Sequence, residues 1–267
     1  ALQYVDGWIE TAADDPLPFL RKGELLMSAQ RLSEAESYLT MSIQMDSNPH
    51  EAEKSLALLY EKTGNKIEAL KILERETKAN PTNVDLQLLM CNVLFGLNRD
   101  ADAAAVLREV LRTHPLHFTA THALASSLAE RGQPAEVIEL VKPLLHEFPH
   151  DVSLSYLMAW ANLELGDATE SDRWMQIHLD ARRALNRLFV ELKKSTTGSQ
   201  SRPDYLGIAN EYFQYQWDKA EPALARAISN SPRSADAYRA MAKFSEMKGD
   251  PGKAADFNKA AESLRNN

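Results

Sequence analysis

Cysteine is almost missing from this chain. Cys91 stands alone, so no intrachain disulfide can form, and its slot among small apolar residues predicts a buried packing role rather than chemistry. Apolar runs are short, and none approaches the roughly 18 consecutive apolar residues a membrane helix requires, so no membrane span is expected. Basic charge is in deficit: 30 Lys and Arg face 38 Asp and Glu for a net charge of −8, which argues against nucleic acid as a partner, because phosphate binding relies on a basic face. A Gly-rich phosphate loop, a nucleophile elbow and a paired-histidine metal helix are all lacking. His114, His117 and His122 cluster along the chain, with His146 and His150 at the equivalent corner further on. Such corners lie about 10 Å apart, too far to converge on one metal ion. The expectation is therefore no enzyme, no metal and no cofactor. No secretory leader is visible, and cytoplasm and periplasm both stay open as locations.

What is present is a period. Pro81, Pro115 and Pro149 lie 34 residues apart, and counting by 34 from Pro16 gives block starts at Pro16, His50, Val84, Phe118 and Val152. A second set starts at Ser201 and Ala235, with Asn186 to Gln200 inserted between the two. In most blocks slot 8 is small (Gly23, Ala57, Cys91, Ala125, Ala159, Ala242) and so is slot 20 (Ala35, Ala69, Ala103, Ala220, Ala254), as two closely crossing helices demand. Slot 24 is apolar (Leu39, Leu73, Leu107, Val141, Met175, Leu224). Slot 15 holds Gly64, Gly132, Gly166 and Gly249, where a first helix must stop in a left-handed dihedral.

Period, slots and turn residues together resemble the tetratricopeptide repeat. That resemblance implies an all-α fold, a right-handed α-solenoid (superhelix) of helix-turn-helix units, and covers 16–267 apart from the insertion. The expected organisation is an N-terminal packing helix or partial repeat over 1–15, five repeats over 16–185, a helix extension and flexible insertion over 186–200, and two repeats with a capping helix over 201–267. Departures are bulky slot 4 residues only at Phe19 and Tyr238, an aromatic slot 11 only at Tyr60, and, in the fifth block, Asn162 at slot 11 and Ser171 at slot 20, so that its second helix is expected to pack less closely. That helix should also overrun its slot, because Trp174, Ile177, Ala181, Leu185, Leu188 and Leu192 continue a three-and-four spacing for about 25 residues from Ala168. The stretch Ser195 to Pro203 then reads as a polar flexible loop.

The resemblance further implies that the first helix of each repeat lines an inner groove. The candidate binding residues there are Leu88, Asn92, Phe95, His122, Tyr156, Trp160, Tyr205, Tyr212 and Arg239, with an aromatic patch at Tyr156, Trp160, Tyr205 and Tyr212 suited to a peptide or partner helix. A core role stays open for the patch, since the insertion could bury Tyr205 and Tyr212 against the long helix. Arg182, Arg183, Arg187, Lys193 and Lys194 form a candidate docking ridge, although cations also suit a helix C-terminus for dipole reasons alone. The pattern by which related adaptors clamp chaperone tails is missing, because Lys54 is followed by Leu58 and Asn92 is preceded by Leu88.

Three functions fit. The leading one is a non-catalytic scaffold binding a protein or peptide. The second is a regulatory or targeting region of a larger enzyme or of a secretion or polysaccharide-assembly machine. The third is self-association through the N-terminal edge as a homo-oligomer.

Overall fold

The computed structural model describes residues 1–197, 204–216 and 219–265, with side chains for 1–190, 204–212, 214–216 and 219–264. Among the described residues the secondary structure is helical, with no strand. The chain divides into two compact units, Ala1–Glu109 and Val110–Asn267.

The first unit holds α1 (Leu2–Thr11) and then helix pairs α2 (Pro16–Ser28) with α3 (Leu32–Met45), and α4 (His50–Thr63) with α5 (Lys66–Ala79). It continues with α6 (Val84–Gly96) and most of α7 (Asp100–Thr113). The second unit pairs α8 (Phe118–Glu130) with α9 (Pro134–Glu147) and α10 (Val152–Glu164) with α11 (Ala168–Thr197). Its last pairs are α12 (Tyr205–Tyr215) with α13 (Ala220–Asn230), and α14 (Ala235–Met247) with α15 (Pro251–Arg265).

Most first helices of the repeats start and stop on a local signal. Asp15, Asn83, Asp151, Asp204 and Ser234 sit just before a first helix and accept a hydrogen bond from its opening backbone N–H groups, and His117 does the same through Nδ1. At the other end, slot 15 is left-handed at Gly64, Gly132, Gly166 and Gly249 (φ +84, +67, +83 and +82°). Two blocks without glycine do the same with Gln30 (φ 61°) and Asn98 (φ 58°). After five of these six residues, the next N–H reaches back to close the helix end, as in Arg99 N to Leu94 O at 2.9 Å and Asp250 N to Ser245 O at 2.9 Å.

Slot 8 meets slot 20 of its own repeat, which is why both must be small. The Cys91 thiol lies 3.6 Å from the Ala103 carbonyl oxygen, and the Ser171 hydroxyl donates to the Ala159 carbonyl at 2.9 Å. A Cβ on Gly23 would stand 2.7 Å from Leu39. The looser packing expected of α11 at Ser171 is thus corrected: this serine is buried against α10, because its one hydroxyl finds a carbonyl at the crossing. Slot 27 adds a second tie, from the second helix back to the start of the first. Ser42 donates to Pro16 O at 2.9 Å, His178 Nδ1 to Val152 O at 2.8 Å, and Glu76 meets His50 Nδ1 at 2.5 Å.

Helix α11 overruns its slot, as the spacing predicts, and includes Ser195, Thr196 and Thr197, which sequence composition reads as loop. The rest of that expected loop, 198–203, lies outside the described residues, as does the expected block start Ser201. Ala181, Ala184 and Leu188 form the buried stripe of the extension.

Within the second unit, one contact spans much of the chain. The buried His117 ring uses Nδ1 to accept from Ala120 N (3.2 Å) and Nε2 to donate to the carbonyl of Lys248 (2.8 Å), at the turn between α14 and α15. Gly249 is the residue beside it. A Cβ there would lie 2.9 Å from the His117 ring.

Candidate functional site

First-helix slots 2 and 5 line an open cleft in each unit, and slot 9 joins them in the second. In the first unit the cleft, of ≈520 Å³, brings together Leu17 and Leu20 of α2 with Glu51 and Lys54 of α4. Its charges are mixed, with Arg21 and Lys54 beside Asp46 and Glu51.

In the second unit an open cleft of ≈450 Å³ is lined by His122 and Ser126 of α8, Ser153 and Tyr156 of α10, and His178 and Arg182 of α11. Tyr156 is half exposed, and its ring lies 5.5 Å from that of His178, tilted by 52°. The bond from His178 Nδ1 to the Val152 carbonyl puts a proton on that nitrogen and fixes the ring beside Tyr156. His122 stacks on Phe118, the centroids 6.2 Å apart and the planes 7° off parallel. The cleft lining contains no carboxylate.

The other candidates are distributed as follows. Trp160 is half-buried one turn beyond Tyr156 on α10, and Leu163 follows it fully on the surface at 59% exposure. Tyr205 carries the Arg226 guanidinium over its ring at 5.6 Å, and Tyr212 is half-buried on the same helix. Among the described residues no ring contact joins the four aromatics expected as one patch. Leu88 and Phe95 are half-buried and Asn92 exposed, all in the first unit, whereas Arg239 is exposed on α14 and paired with Asp236 at 2.7 Å. Of the docking ridge, Arg182 turns into the cleft, Arg183 pairs with Asp180 at 2.9 Å and Arg187 is exposed. The side chains of Lys193 and Lys194 lie outside the described residues.

Sequence reading did not find the role of α11 in this cleft. Its signal was available: His178, Arg182, Leu185 and Phe189 recur at helical spacing along one stripe, next to the stripe of the buried Ala181, Ala184 and Leu188.

Titratable groups elsewhere are structural. Burial pushes the Cys91 thiol up to about 12, far from a reactive thiolate. In the first unit Glu53 and Glu76 form a buried hydrogen-bonded pair, with Arg75 2.6 Å from Glu53. Burial and the Glu53 carboxyl raise Glu76 against the opposing pull of His50; burial opposes ionisation of Glu53 too, yet the bonds from Glu76 and Arg75 hold it below its usual value. Among the described residues no group of three or more His, Cys, Asp or Glu side chains is placed to hold a metal. No described helix is long and apolar enough to cross a membrane.

Comparison with known proteins agrees with this architecture. The family model described as "Tetratricopeptide repeat" matches residues 88–136 and 211–267. A tetratricopeptide repeat protein from Parabacteroides merdae superposes with a TM-score of 0.59 at 16% identity, covering 93% of each chain. YrrB, described as a TPR protein with an unusual peptide-binding site, gives 0.56 at 19% identity over 67% of this chain and 93% of its own. MamA (MSR-1) gives 0.51 at 22% identity over 62% of this chain and 95% of its own. No curated protein matches. The family model falls on α6 to the start of α9 and on the last helix pairs, so over those two stretches the chain is similar to the tetratricopeptide repeat, and small crossing slots with a left-handed turn recur outside them, at Ala35 with Gln30 and at Ala69 with Gly64.

Proposed function

We propose that this protein is a non-catalytic scaffold that holds a peptide or partner helix in the cleft of its second unit. The observation that carries the reading is the setting of Tyr156. A large aromatic side chain stands half exposed in an open cleft, braced by a histidine that is itself tied to backbone, with exposed Leu163 two turns further along the same helix. Such pre-positioned aromatic anchors bury much area at little entropic cost on binding. Protein-interaction use is general among repeats of this family, and the similar YrrB is described as peptide-binding.

The test is a peptide array probed with the parent protein and with Tyr156→Ala and Trp160→Ala, beside a thermal melt of each. Because Tyr156 is half exposed, its truncation should leave the melt nearly unchanged while weakening captured peptides by more than about 1 kcal/mol, as loss of a hot-spot anchor does. If both variants stay folded and retain every peptide, recognition does not use this cleft.

A further inference from the structure

The charges around the second unit's cleft are one-sided. The chain as a whole is acidic, with a net charge of −8, yet the cleft lining holds no Asp or Glu and one permanently charged group, the Arg182 guanidinium. Neighbouring arginines on the same helix are already satisfied: Arg173 pairs with Glu170 at 3.2 Å and Arg183 with Asp180 at 2.9 Å. Arg182 makes no ion pair or hydrogen bond among the described residues. Its fork of donors matches a carboxylate in two-point geometry. The serine hydroxyls Ser126 and Ser153 supply further polar partners around the same opening, and the Tyr156 ring supplies the apolar surface.

We propose that the occupant is a peptide segment presenting a carboxylate side chain next to an apolar or aromatic one, the carboxylate going to Arg182 and the apolar group to the face of Tyr156. The inference rests on the groove reading above and adds the chemistry of the ligand to it. Charge complementarity selects the acidic residue, because a basic segment would set a like charge beside Arg182 with no carboxylate in the lining to offset it. The first unit's cleft does not share this selectivity, since Asp46 and Glu51 balance Arg21 and Lys54 there.

The experiment uses two fluorescein-labelled, C-amidated octapeptides titrated with the full chain and read by anisotropy. One is Gly-Ser-Leu-Asp-Phe-Glu-Ser-Gly, and the other replaces Asp and Glu by Asn and Gln. The acidic peptide should bind about fivefold or more tightly, the scale of one partly exposed charge-assisted contact. Arg182→Gln should abolish that preference, Arg183→Gln should keep it, and Tyr156→Ala should weaken both peptides. Equal affinity of the two peptides for the parent overturns the inference, and if both still depend on Tyr156 the groove reading survives without it. Equal loss of preference in Arg182→Gln and Arg183→Gln also overturns it, because bulk charge would then explain the selectivity. No binding of either peptide at millimolar protein overturns it as well, while the array with Tyr156→Ala judges the groove reading separately.

Discussion

The His117 contact makes Gly249 unlike the other turn glycines, and the difference can be measured. Gly132, Gly166 and Gly249 all lie at positive φ, so an alanine at any of them meets the left-handed penalty of about 1–2 kcal/mol. At Gly132 and Gly166 that is the whole effect, because an added Cβ finds nothing within 4 Å. At Gly249 the Cβ would come to 2.9 Å from His117 Cδ2 and 3.2 Å from Nε2. The ring cannot swing aside freely: it is 2% exposed and both nitrogens are engaged, with Ala120 N and the Lys248 carbonyl. Overpacking of this kind adds about 1–3 kcal/mol, and displacing the ring forfeits a hydrogen bond contributing about 1 kcal/mol more. Gly249→Ala should therefore lose about 3–6 kcal/mol where Gly132→Ala and Gly166→Ala lose about 1–2. The readout is hydrogen exchange in α14 and α15 together with a thermal melt, in which about 1 kcal/mol corresponds to a Tm shift of about 2–4 °C. Three variants with the same loss, and unchanged exchange in α14 and α15 for Gly249→Ala, would refute the contact.

Two further outcomes follow from packing and charge. Ala69→Leu and Ala103→Leu put a large side chain at fully buried crossing slots and should each destabilise by about 1–3 kcal/mol in a urea melt; an unmoved midpoint for either would show that slot 20 does not face slot 8. Glu76→Gln should flatten the pH dependence of stability: with its folded pKa raised above the unfolded value, Glu76 binds its proton more tightly in the native state, so the parent loses stability as pH rises from the ordinary carboxylate range through the raised value. Melts from pH 4 upward on both proteins check this, and parallel curves would exclude Glu76 as the source.

What the sequence determined by itself is the repeating unit, because its signals are local. Small residues at slots 8 and 20 sit twelve positions apart on consecutive helices, and the glycines of slot 15 need only their own dihedral, so period and composition reveal them directly. Local signals also explain what escaped notice at Gln30 and Asn98, which take the same left-handed turn without the glycine that announces it. Ser171, at slot 20, looked like a packing defect for a similar reason, since its hydroxyl's partner, the Ala159 carbonyl, is backbone and leaves no mark in the sequence.

The tertiary structure alone decided which side chains share a site. Tyr156 and Arg182 belong to different helices of one repeat and His122 to the repeat before, and whether Arg182 or its neighbour Arg183 enters the cleft depends on a rotation of about 100° around the α11 axis. Tyr205, grouped with Tyr156 by residue type, instead lies under Arg226. The bond from His117 to the Lys248 carbonyl joins residues 131 positions apart. A 34-residue period fixes contacts between neighbouring repeats, but it holds no information about which distant turn will meet a given histidine, because that depends on the accumulated angles between successive helix pairs.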